Sequence, residues 1–275
     1  MSEWREEAVE IRPIGALGWV LVICRAVPLF LLVYLCLLAL MLLRLVEAPL
    51  FGQARPWTPK ITRFVCRNAL WLIGIGYETR GRPMREKGAV VANHATWLDI
   101  FTLNAGQEIY FVSKDEVAKW PGIGILARAT GTVFITRKGG EAKRQQDVFE
   151  ERLRAGHKLL FFPEGTSSDS IRILPFKSSL FQAFFSEGLV DFLHIQPVTV
   201  VYHAPHGQDA RFYGWWGDME FASSLLKMLA AARHGRVEVI YHSPVAVHGF
   251  AGRKELTLYC ERVIREAHEK SLRAG

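Results

Sequence analysis

Residues 88–99 read Gly-Ala-Val-Val-Ala-Asn-His-Ala-Thr-Trp-Leu-Asp, a short apolar run followed at once by polar side chains. A bounded apolar run of this kind predicts a buried strand, and the residues after it predict the start of a helix. His94 and Asp99 are close enough in sequence for the carboxylate to hold one ring nitrogen and fix the tautomer. Such a pair can take a proton from a hydroxyl group. Taken alone, the same residues are more typical of an ordinary helix start.

The remainder of the chain alternates short apolar runs with helical patterns. This alternation predicts an α/β fold with a mostly parallel central sheet flanked by helices, preceded by an N-terminal transmembrane or interfacial helical region. Ligands of such sheets bind beyond the carboxyl ends of the strands, where His94 and Glu164 both fall. We predict strands at Ala89–Ala92, Ile109–Val112, Thr132–Ile135, Lys158–Phe162, Pro197–Tyr202 and Val237–Tyr241, and helices at Leu98–Asn104, Gly140–Arg154, Ser178–Glu187 and Lys254–Arg273.

Composition narrows the class of protein. The net charge of +7 over 275 residues favours anionic partners, among them phospholipid headgroups, nucleic acid or an acidic carrier protein. The 4 cysteines lie far apart, which predicts neither a disulfide framework nor a zinc cluster and indicates a reducing compartment. Common motifs of serine hydrolases, P-loop enzymes and zinc sites are missing from the sequence. We therefore expect no metal and no cofactor.

The N-terminal region is strongly apolar. Ala26 to Leu43 contains no charged residue and would form roughly 27 Å of helix, close to the thickness of a bilayer's hydrocarbon core. One long span and a re-entrant pair both remain open, with Pro28 as a candidate break; the alternative is a buried helix of a soluble protein. We expect residues 1–80 to form membrane-anchoring helices and residues 81–275 an α/β domain. The positive charges that follow the span predict a cytoplasmic location for that domain: Arg44, Arg55, Lys60, Arg63 and Arg67.

Residues 57–75 form a second apolar stretch in which Lys60, Arg63 and Arg67 recur at helical spacing. This pattern predicts a basic amphipathic helix lying in the membrane surface. An ordinary helix packed on the core of the protein fits the same pattern, and the sequence leaves both alternatives open.

Two further motifs follow predicted strands. Gly-Thr-Val-Phe-Ile-Thr-Arg at residues 131–137 leads from a strand to Arg137, which can bind a phosphate through two parallel hydrogen bonds. Phe-Pro-Glu-Gly-Thr at residues 162–166 ends a strand in a turn, where Gly165 permits unusual backbone angles and Glu164 offers a carboxylate. In isolation the first is more typical of a solvated arginine and the second of a simple tight turn.

The combination of motifs is more specific than its parts. In order and spacing, Asn-His-x4-Asp, Gly-x-Val-Phe-Ile-x-Arg, Phe-Pro-Glu-Gly-Thr and Ile-Gln-Pro-Val-Thr (residues 195–199) resemble the four blocks of the glycerolipid acyltransferase family. That family includes the bacterial 1-acylglycerol-3-phosphate acyltransferases. The resemblance covers about residues 88 to 202 and implies an acyltransferase enzyme. A non-catalytic lipid-binding protein of the same fold is the alternative class, against which the intact polar residues of all four blocks argue.

The resemblance assigns roles to individual residues. It implies that His94 is the general base that deprotonates the acceptor hydroxyl, and that Asp99 orients and polarises it. It further implies that Arg137 binds phosphate, that Glu164, Gly165 and Thr166 bind the acceptor, and that Pro197 shapes the acyl pocket or the core.

One departure from the family pattern bears on the acceptor. Many phosphatidate-forming members have arginine directly after Glu-Gly-Thr, whereas this chain has Ser167. Loss of that cation weakens the case for a phosphate monoester acceptor. The context, with Leu-Pro-Phe-Lys-Ser at residues 174–178, is similar to bacterial lyso-ornithine lipid O-acyltransferases.

The resemblance therefore implies a membrane-bound O-acyltransferase that converts lyso-ornithine lipid to ornithine lipid. The alternative is a 1-acyl-sn-glycerol-3-phosphate acyltransferase that makes phosphatidic acid, or an enzyme that uses both acceptors. We expect acyl-acyl carrier protein, or acyl-CoA, as donor, a lysolipid as acceptor, membrane lipids as surroundings and no nucleic acid as partner. The expected location is the bacterial inner membrane, with the catalytic domain on the cytoplasmic side.

Overall fold

The centre of the protein is a mixed sheet. The computed structural model describes Trp4 and residues 13–120, 122–135, 142–186 and 188–274. Its strands are β1 (Gly76–Arg80), β2 (Gly88–Ala92), β3 (Tyr110–Lys114), β4 (Val133–Ile135), β5 (Leu159–Phe161), β6 (His194–His203), β7 (Arg236–Tyr241) and β8 (Val245–Ala246). Within the described residues these form an eight-stranded sheet in the order β1-β7-β6-β2-β5-β3-β4, with β8 paired to β6.

Neighbouring strands are parallel, except where β6 meets β7 and β8. Because β2, β5 and β3 are parallel neighbours, the segments that follow them emerge at one edge of the sheet. The α/β fold with a mostly parallel sheet that the sequence predicts is confirmed.

Helices cover both faces of the sheet. They are α1 (Ala16–Phe51), α2 (Thr58–Ile73), α3 (Asp99–Gly106), α4 (Ile123–Ala129), α5 (Ala142–Arg154), α6 (Phe221–Ala230) and α7 (Arg253–Ala274), with 3-10 helices at Asp115–Lys119, Ser178–Phe185 and Val247–Gly249.

Two apolar clusters lie on opposite faces of the sheet. Val90 and Ala92 of β2 pack with α2, α3 and α6, while Ala89 and Val91 of the same strand pack with α5 and α7. Successive residues of a strand point to opposite faces, so a strand with helices on both sides is apolar at every position. This is why the run that precedes His94 contains no polar side chain.

Helix α1 is one continuous element. It runs 36 residues through Pro28 and Pro49, so of the two alternatives that the sequence leaves open the structure has one long helix, without a break at Pro28. A proline inside a helix removes one backbone hydrogen bond without having to end the helix. By length and composition α1 can cross a membrane. Of its most apolar 18 residues, 11% are buried inside the protein, whereas most residues of a core helix in a soluble domain are buried.

The cation within the apolar helix α1 turns toward the domain. The Nη1 group of Arg25 donates hydrogen bonds to the carbonyl oxygens of Leu229, at 2.8 Å, and Ala231, at 2.6 Å. These carbonyls belong to the C-terminal end of α6, where the last turn of a helix has no partners of its own. Arg25 therefore caps α6 and joins it to α1.

A buried carboxylate joins α1 to α2. Glu47 is fully buried, and its Oε1 accepts hydrogen bonds from the backbone N–H groups of Trp57, at 2.7 Å, and Thr58, at 3.0 Å. Its Oε2 accepts a bond from the Thr58 hydroxyl at 2.7 Å. The residue before α2, Trp57, provides no side-chain cap. Glu47 therefore caps α2 from a different helix and fixes the α1–α2 hairpin.

Helix α2 has two distinct faces. Cys66, Leu70 and Ile73 are buried against the core, which fits the expectation of a packed helix. The opposite face is exposed and carries a basic and aromatic surface: Lys60, Arg63, Phe64, Arg67 and Trp71. The alternative of a helix packed on the core is confirmed, and the position of the exposed face in a membrane surface stays a prediction.

The six predicted strands are all present, with ends that shift by a few residues. Strand β1 was not predicted, because it is an edge strand with mostly exposed side chains and no apolar run. Helices α4 and α6 were also not predicted. The predicted helix at Ser178–Glu187 is a 3-10 helix, with Glu187 outside the described residues, and α5 is described only from Ala142.

The domain boundary expected at residue 80 stays a prediction. Strand β1 ends at Arg80 and pairs in parallel with β7 along its whole length, so residues before the boundary contribute a strand to the sheet.

The cap at α2 predicts a loss of stability in the variant Glu47→Ala. Two backbone N–H groups and a buried hydroxyl would lose their acceptor, which should lower the free energy of unfolding by about 2–4 kcal/mol. Thermal or denaturant unfolding of the protein in detergent measures the change. The exposed Glu266→Ala variant of α7 is the control, with an expected change within about 0.5 kcal/mol. Equal stabilities of the two variants would contradict the capping role.

Candidate active site

His94 and Asp99 meet at the carboxyl edge of the sheet. The Nδ1 atom of His94 lies 2.7 Å from Oδ2 of Asp99, and the His94 side chain is 20% exposed whereas Asp99 is fully buried. Because a carboxylate accepts, Nδ1 carries the proton and donates it. The other ring nitrogen, Nε2, is then left with a lone pair. The ring stacks on Phe162 with centroids 4.1 Å apart, which fixes its plane.

The buried Asp99 carboxylate is fully hydrogen-bonded. Besides the imidazole, Oδ2 accepts hydrogen bonds from the backbone N–H groups of Ala95, at 2.8 Å, and Thr96, at 3.0 Å. These groups belong to the turn that opens α3, so the carboxylate sits at a helix N-terminus, where negative charge is stabilised. Burial of an unpaired charge would be costly, and the four donors around Asp99 remove that cost.

The fourth donor to Asp99 comes from β6. The hydroxyl of Tyr202 lies 2.8 Å from Oδ1 of Asp99 and 2.9 Å from the hydroxyl of Thr102. Tyr202 is completely buried, and burial together with the neighbouring Asp99 raises its pKa well above the ordinary value. The phenol is therefore a permanent donor to Asp99, and Thr102 donates to it in turn.

Asn93 ties the loop that carries His94 to the same strand. Its side-chain amide donates to the carbonyl of Val200 at 2.9 Å, and its side-chain oxygen accepts from the N–H of Val200 at 2.8 Å. The pair of bonds fixes the residue before His94 on β6. The position of the imidazole is thus set by the pairing of β2 with β6.

Glu164 holds two backbone segments together. Its Oε1 accepts from the N–H of His94 at 2.6 Å and its Oε2 accepts from the N–H of Leu174 at 2.7 Å. The side chain is 2% exposed, and burial raises its pKa to about 8 despite these two donors. A further bond, from Ser168 N–H to the His94 carbonyl at 2.9 Å, joins the same segments. Both oxygens of Glu164 are engaged within the protein.

The neighbouring residues of the turn lie at the surface. Gly165 has φ 73°, and a Cβ added there would lie 2.6 Å from Nζ of Lys177, so the ammonium group sits directly over the glycine. Thr166 is exposed, whereas Ser167 is 8% exposed and points into the fold. Of the cations on this loop, Arg172 is paired with Asp169 at 2.7 Å.

The remaining predicted residues do not join this group. Pro197 is buried in the middle of β6, paired in register with Val91 of β2. Arg137 lies outside the described residues, so the structure adds nothing on its position. No group of three or more potential metal ligands occurs among the described residues.

Aromatic residues lie next to the loop that carries His94. The N–H of Trp215 donates to the Ala95 carbonyl at 3.1 Å, and the Trp215 ring packs edge-on against Trp120, which is 39% exposed. The ring of Phe162 stacks on the imidazole and gives the site an apolar border. Such a border suits an apolar substrate chain beside a polar reacting group.

The arrangement can perform general base catalysis. A neutral imidazole with a fixed tautomer, a buried carboxylate on one nitrogen and a free lone pair on the other can take a proton from a hydroxyl group. Sequence reasoning found His94 and Asp99 from their spacing, but it did not find Asn93, Thr102 or Tyr202 as their supports. Asn93 stands within the motif itself, whereas the local sequence around Tyr202 contains no signal.

Known proteins resemble the chain in sequence. A family model described as Acyltransferase matches residues 78–201. A lyso-ornithine lipid O-acyltransferase of Rhodobacter capsulatus is 60% identical over 222 residues, covering 81% of this chain and 80% of that protein. A protein of the same name from Brucella abortus is 34% identical over 230 residues, covering 78% and 84%. A 1-acyl-sn-glycerol-3-phosphate acyltransferase of Neisseria gonorrhoeae is 38% identical over 129 residues, covering 44% and 49%.

One solved structure resembles the fold. The crystal structure of the 1-acyl-sn-glycerophosphate acyltransferase PlsC from Thermotoga maritima superposes with a TM-score of 0.63, covering 92% of this chain and 96% of that one at 19% identity. At this identity the likeness concerns the fold alone.

The raised pKa of Glu164 predicts a pH-dependent stability. Since the folded-state pKa of about 8 exceeds the ordinary value of 4.5, the protonated carboxyl favours folding, and this contribution is lost as the pH rises through about 8. A neutral Glu164→Gln variant loses one acceptor at every pH but carries no buried charge. The difference in melting temperature between the parent protein and the variant should therefore narrow between pH 6 and pH 9. If the difference in melting temperature widened instead, the hydrogen bonds to the ionised carboxylate would stabilise the fold by more than its burial destabilises it.

Proposed function

Since the chain belongs to the acyltransferase family, we propose that it transfers a fatty acyl group from a thioester donor to the free hydroxyl of lyso-ornithine lipid, forming ornithine lipid. The observation that carries the acceptor is the 60% identity to the Rhodobacter enzyme of that name across most of both chains. The observation that carries the chemistry is the 2.7 Å contact between the imidazole of His94 and the carboxylate of Asp99.

In the proposed mechanism His94 acts as the general base. Its Nε2 takes the proton of the acceptor hydroxyl as the oxygen attacks the thioester carbonyl. The tetrahedral intermediate then collapses, the carbon–sulfur bond breaks, and the proton on His94 passes to the departing thiolate. The products are an ester and a free thiol, so no acyl-enzyme is required. Asp99 stabilises the imidazolium that exists between the two proton transfers, because its Oδ2 accepts the hydrogen bond from Nδ1 of His94.

Glu164 and Gly165 have different roles in this proposal. Because both oxygens of Glu164 accept backbone N–H groups, we assign it to holding the His94 loop against the residue 165–174 loop. Gly165 and Thr166 remain the residues that meet the acceptor, with the ammonium group of Lys177 above the glycine. Arg137 remains assigned to a phosphate of donor or acceptor, and Pro197 to the sheet beside Val91.

Charge at the acceptor side favours an aminolipid. An arginine after Glu-Gly-Thr would give a phosphate monoester a second cation, but Ser167 is uncharged and Arg172 is neutralised by Asp169. Among the described residues, the ammonium group of Lys177 lies over Gly165, and one positive charge there matches the single carboxylate of an ornithine headgroup better than a dianionic phosphate. Lysophosphatidic acid remains the second candidate, since a 1-acyl-sn-glycerol-3-phosphate acyltransferase matches 44% of the chain.

We further propose a location at the cytoplasmic face of a bacterial inner membrane. Helix α1 has the length and composition of a span, and the cations Arg44, Arg55 and Lys60 follow its uncharged stretch, which ends at Leu43. An acyl-acyl carrier protein is the proposed donor, since the net charge of +7 suits an acidic carrier. Residues 1–80 would anchor the protein and residues 81–275 would perform catalysis, with β1 joining the two parts.

The general base role predicts the behaviour of His94→Ala. Loss of the base should reduce acyl transfer by about 10²–10⁴-fold, while the protein still folds because Oδ2 of Asp99 keeps its two backbone N–H donors. Transfer of labelled acyl chains from the carrier protein to lyso-ornithine lipid measures the effect. His206→Ala, at an exposed loop position, is the control and should retain full activity. Near-normal turnover by His94→Ala would remove the base from the mechanism.

The acceptor is tested by competition. The purified protein, supplied with one labelled acyl donor and equal amounts of lyso-ornithine lipid and lysophosphatidic acid, should form mainly ornithine lipid. Separation of the products by mass measures the ratio, and a parallel reaction with acyl-CoA identifies the donor. If phosphatidic acid were the main product, the acceptor would be lysophosphatidic acid and not lyso-ornithine lipid. The proposed role of His94 would not change.

A further inference from the structure

Three arginines converge on an apolar cleft far from His94. The cleft has a volume of about 480 Å³ and lies between the C-terminal half of α1, the segment after it, and α4. Its apolar wall includes Leu40, Met41 and Leu45 of α1, and its polar side consists of Arg44, Arg55 and Arg128. Arg44 belongs to α1, Arg55 to the connection between α1 and α2, and Arg128 to α4. We call this site the arginine cleft.

The arginines of the cleft lack sufficient counterions. Within the part of the chain that the structure describes, neither Arg55 nor Arg128 pairs with a carboxylate. Arg44 shares Glu47, at 3.1 Å, with the three bonds that this carboxylate receives from the start of α2. Otherwise the guanidinium groups donate to single backbone carbonyls: Arg44 to Gly52, Arg55 to Ala129 and Arg128 to Ala118.

Arg55 is the most constrained of the three. Burial and the neighbouring Arg44 lower its pKa, its Nε has no hydrogen-bond partner among the described residues, and its guanidinium lies 5.9 Å from the ring centroid of Tyr110. Partly buried cations in proteins are normally paired with an anion. The cleft therefore has donors left over for an anionic ligand, and guanidinium groups bind phosphate through paired hydrogen bonds.

The apolar wall of the cleft indicates that the anion is the headgroup of a membrane lipid. Met41 is 50% exposed and Leu45 is 71% exposed, and both lie on the helix that can cross a membrane. Arg44 directly follows the uncharged stretch that ends at Leu43, which is the depth at which headgroup phosphates lie. A free anion would use the arginines but not this apolar wall.

We propose that the arginine cleft binds one anionic phospholipid, with its phosphodiester on the three arginines and an acyl chain against Leu40, Met41 and Leu45. The net positive charge of the cleft selects an anionic lipid over a zwitterionic one. The bound phosphate bridges α1, the connection after it and α4, so the lipid stabilises the fold at the membrane surface.

The lipid of this site is not the acyl acceptor. Arg55 lies against Tyr110, the first residue of β3, whereas His94 follows the last residue of β2. Because β2, β5 and β3 are parallel, the cleft and the imidazole are at opposite edges of the sheet, separated by the length of a strand, about 15 Å. The site is therefore independent of the acceptor proposed above.

Thermal unfolding of the full chain in nonionic detergent tests the proposal. Phosphatidylglycerol added to the micelles should raise the melting temperature by about 3–6 °C, and phosphatidylcholine should not. The double variant Arg55→Gln with Arg128→Gln should need about 10-fold more phosphatidylglycerol for the same rise. Arg262→Gln, which removes an exposed charge from α7 on the other face of the sheet, is the matched control and should behave as the parent protein.

A second variant keeps the test informative if the double variant does not fold. Leu45→Glu puts a carboxylate on the exposed wall of the cleft and should weaken the response to phosphatidylglycerol without changing the acyl transfer measured in phosphatidylcholine. An equal response of both variants and the parent protein would overturn the proposal. So would equal protection by inorganic phosphate at the same concentration, or protection by an acidic carrier protein that the variants abolish while the lipid effect persists.

Discussion

The structure around the site depends on one buried carboxylate. Asp99 has no exposed surface, and an unpaired charge at such a position would be too costly to keep. Its four donors are the imidazole of His94, two N–H groups of the α3 turn and the hydroxyl of Tyr202. These donors come from the end of β2, the start of α3 and β6, so the carboxylate is satisfied only when the sheet and helix are assembled in one register. The geometry that gives His94 its free lone pair is thus a consequence of satisfying Asp99.

Charges buried elsewhere follow the same rule. Glu47 is satisfied by the start of α2 and Arg25 by the end of α6. Each of these side chains joins its own helix to another helix, because a buried charge requires partners that its own segment cannot supply. The arginine cleft is the exception, since its cations exceed its carboxylates.

The sequence predicted those parts of the fold that depend on local patterns. The apolar run of β2 is unbroken because both faces of this strand are covered. The spacing of His94 and Asp99 in the motif predicts a contact between them, and the structure contains that contact. The sequence does not predict strand β1, because an edge strand with exposed side chains has no run of apolar residues. The roles of Tyr202 and Glu164 could not be read from the sequence, since they arise from contacts across 103 and 70 residues. A glutamate in a turn predicts an exposed carboxylate that is available to a substrate. In the folded protein the Glu164 carboxylate is buried and accepts hydrogen bonds from the backbone.

The bonds between Asn93 and Val200 have a consequence for biosynthesis. They span 107 residues, and the loop that they close cannot form until β6 has left the ribosome. Helix α1 is translated long before that moment and can enter the bilayer while the imidazole still belongs to an unpaired chain. The residue before His94 is therefore fixed in the nascent polypeptide only after β6 has been synthesised and paired with β2.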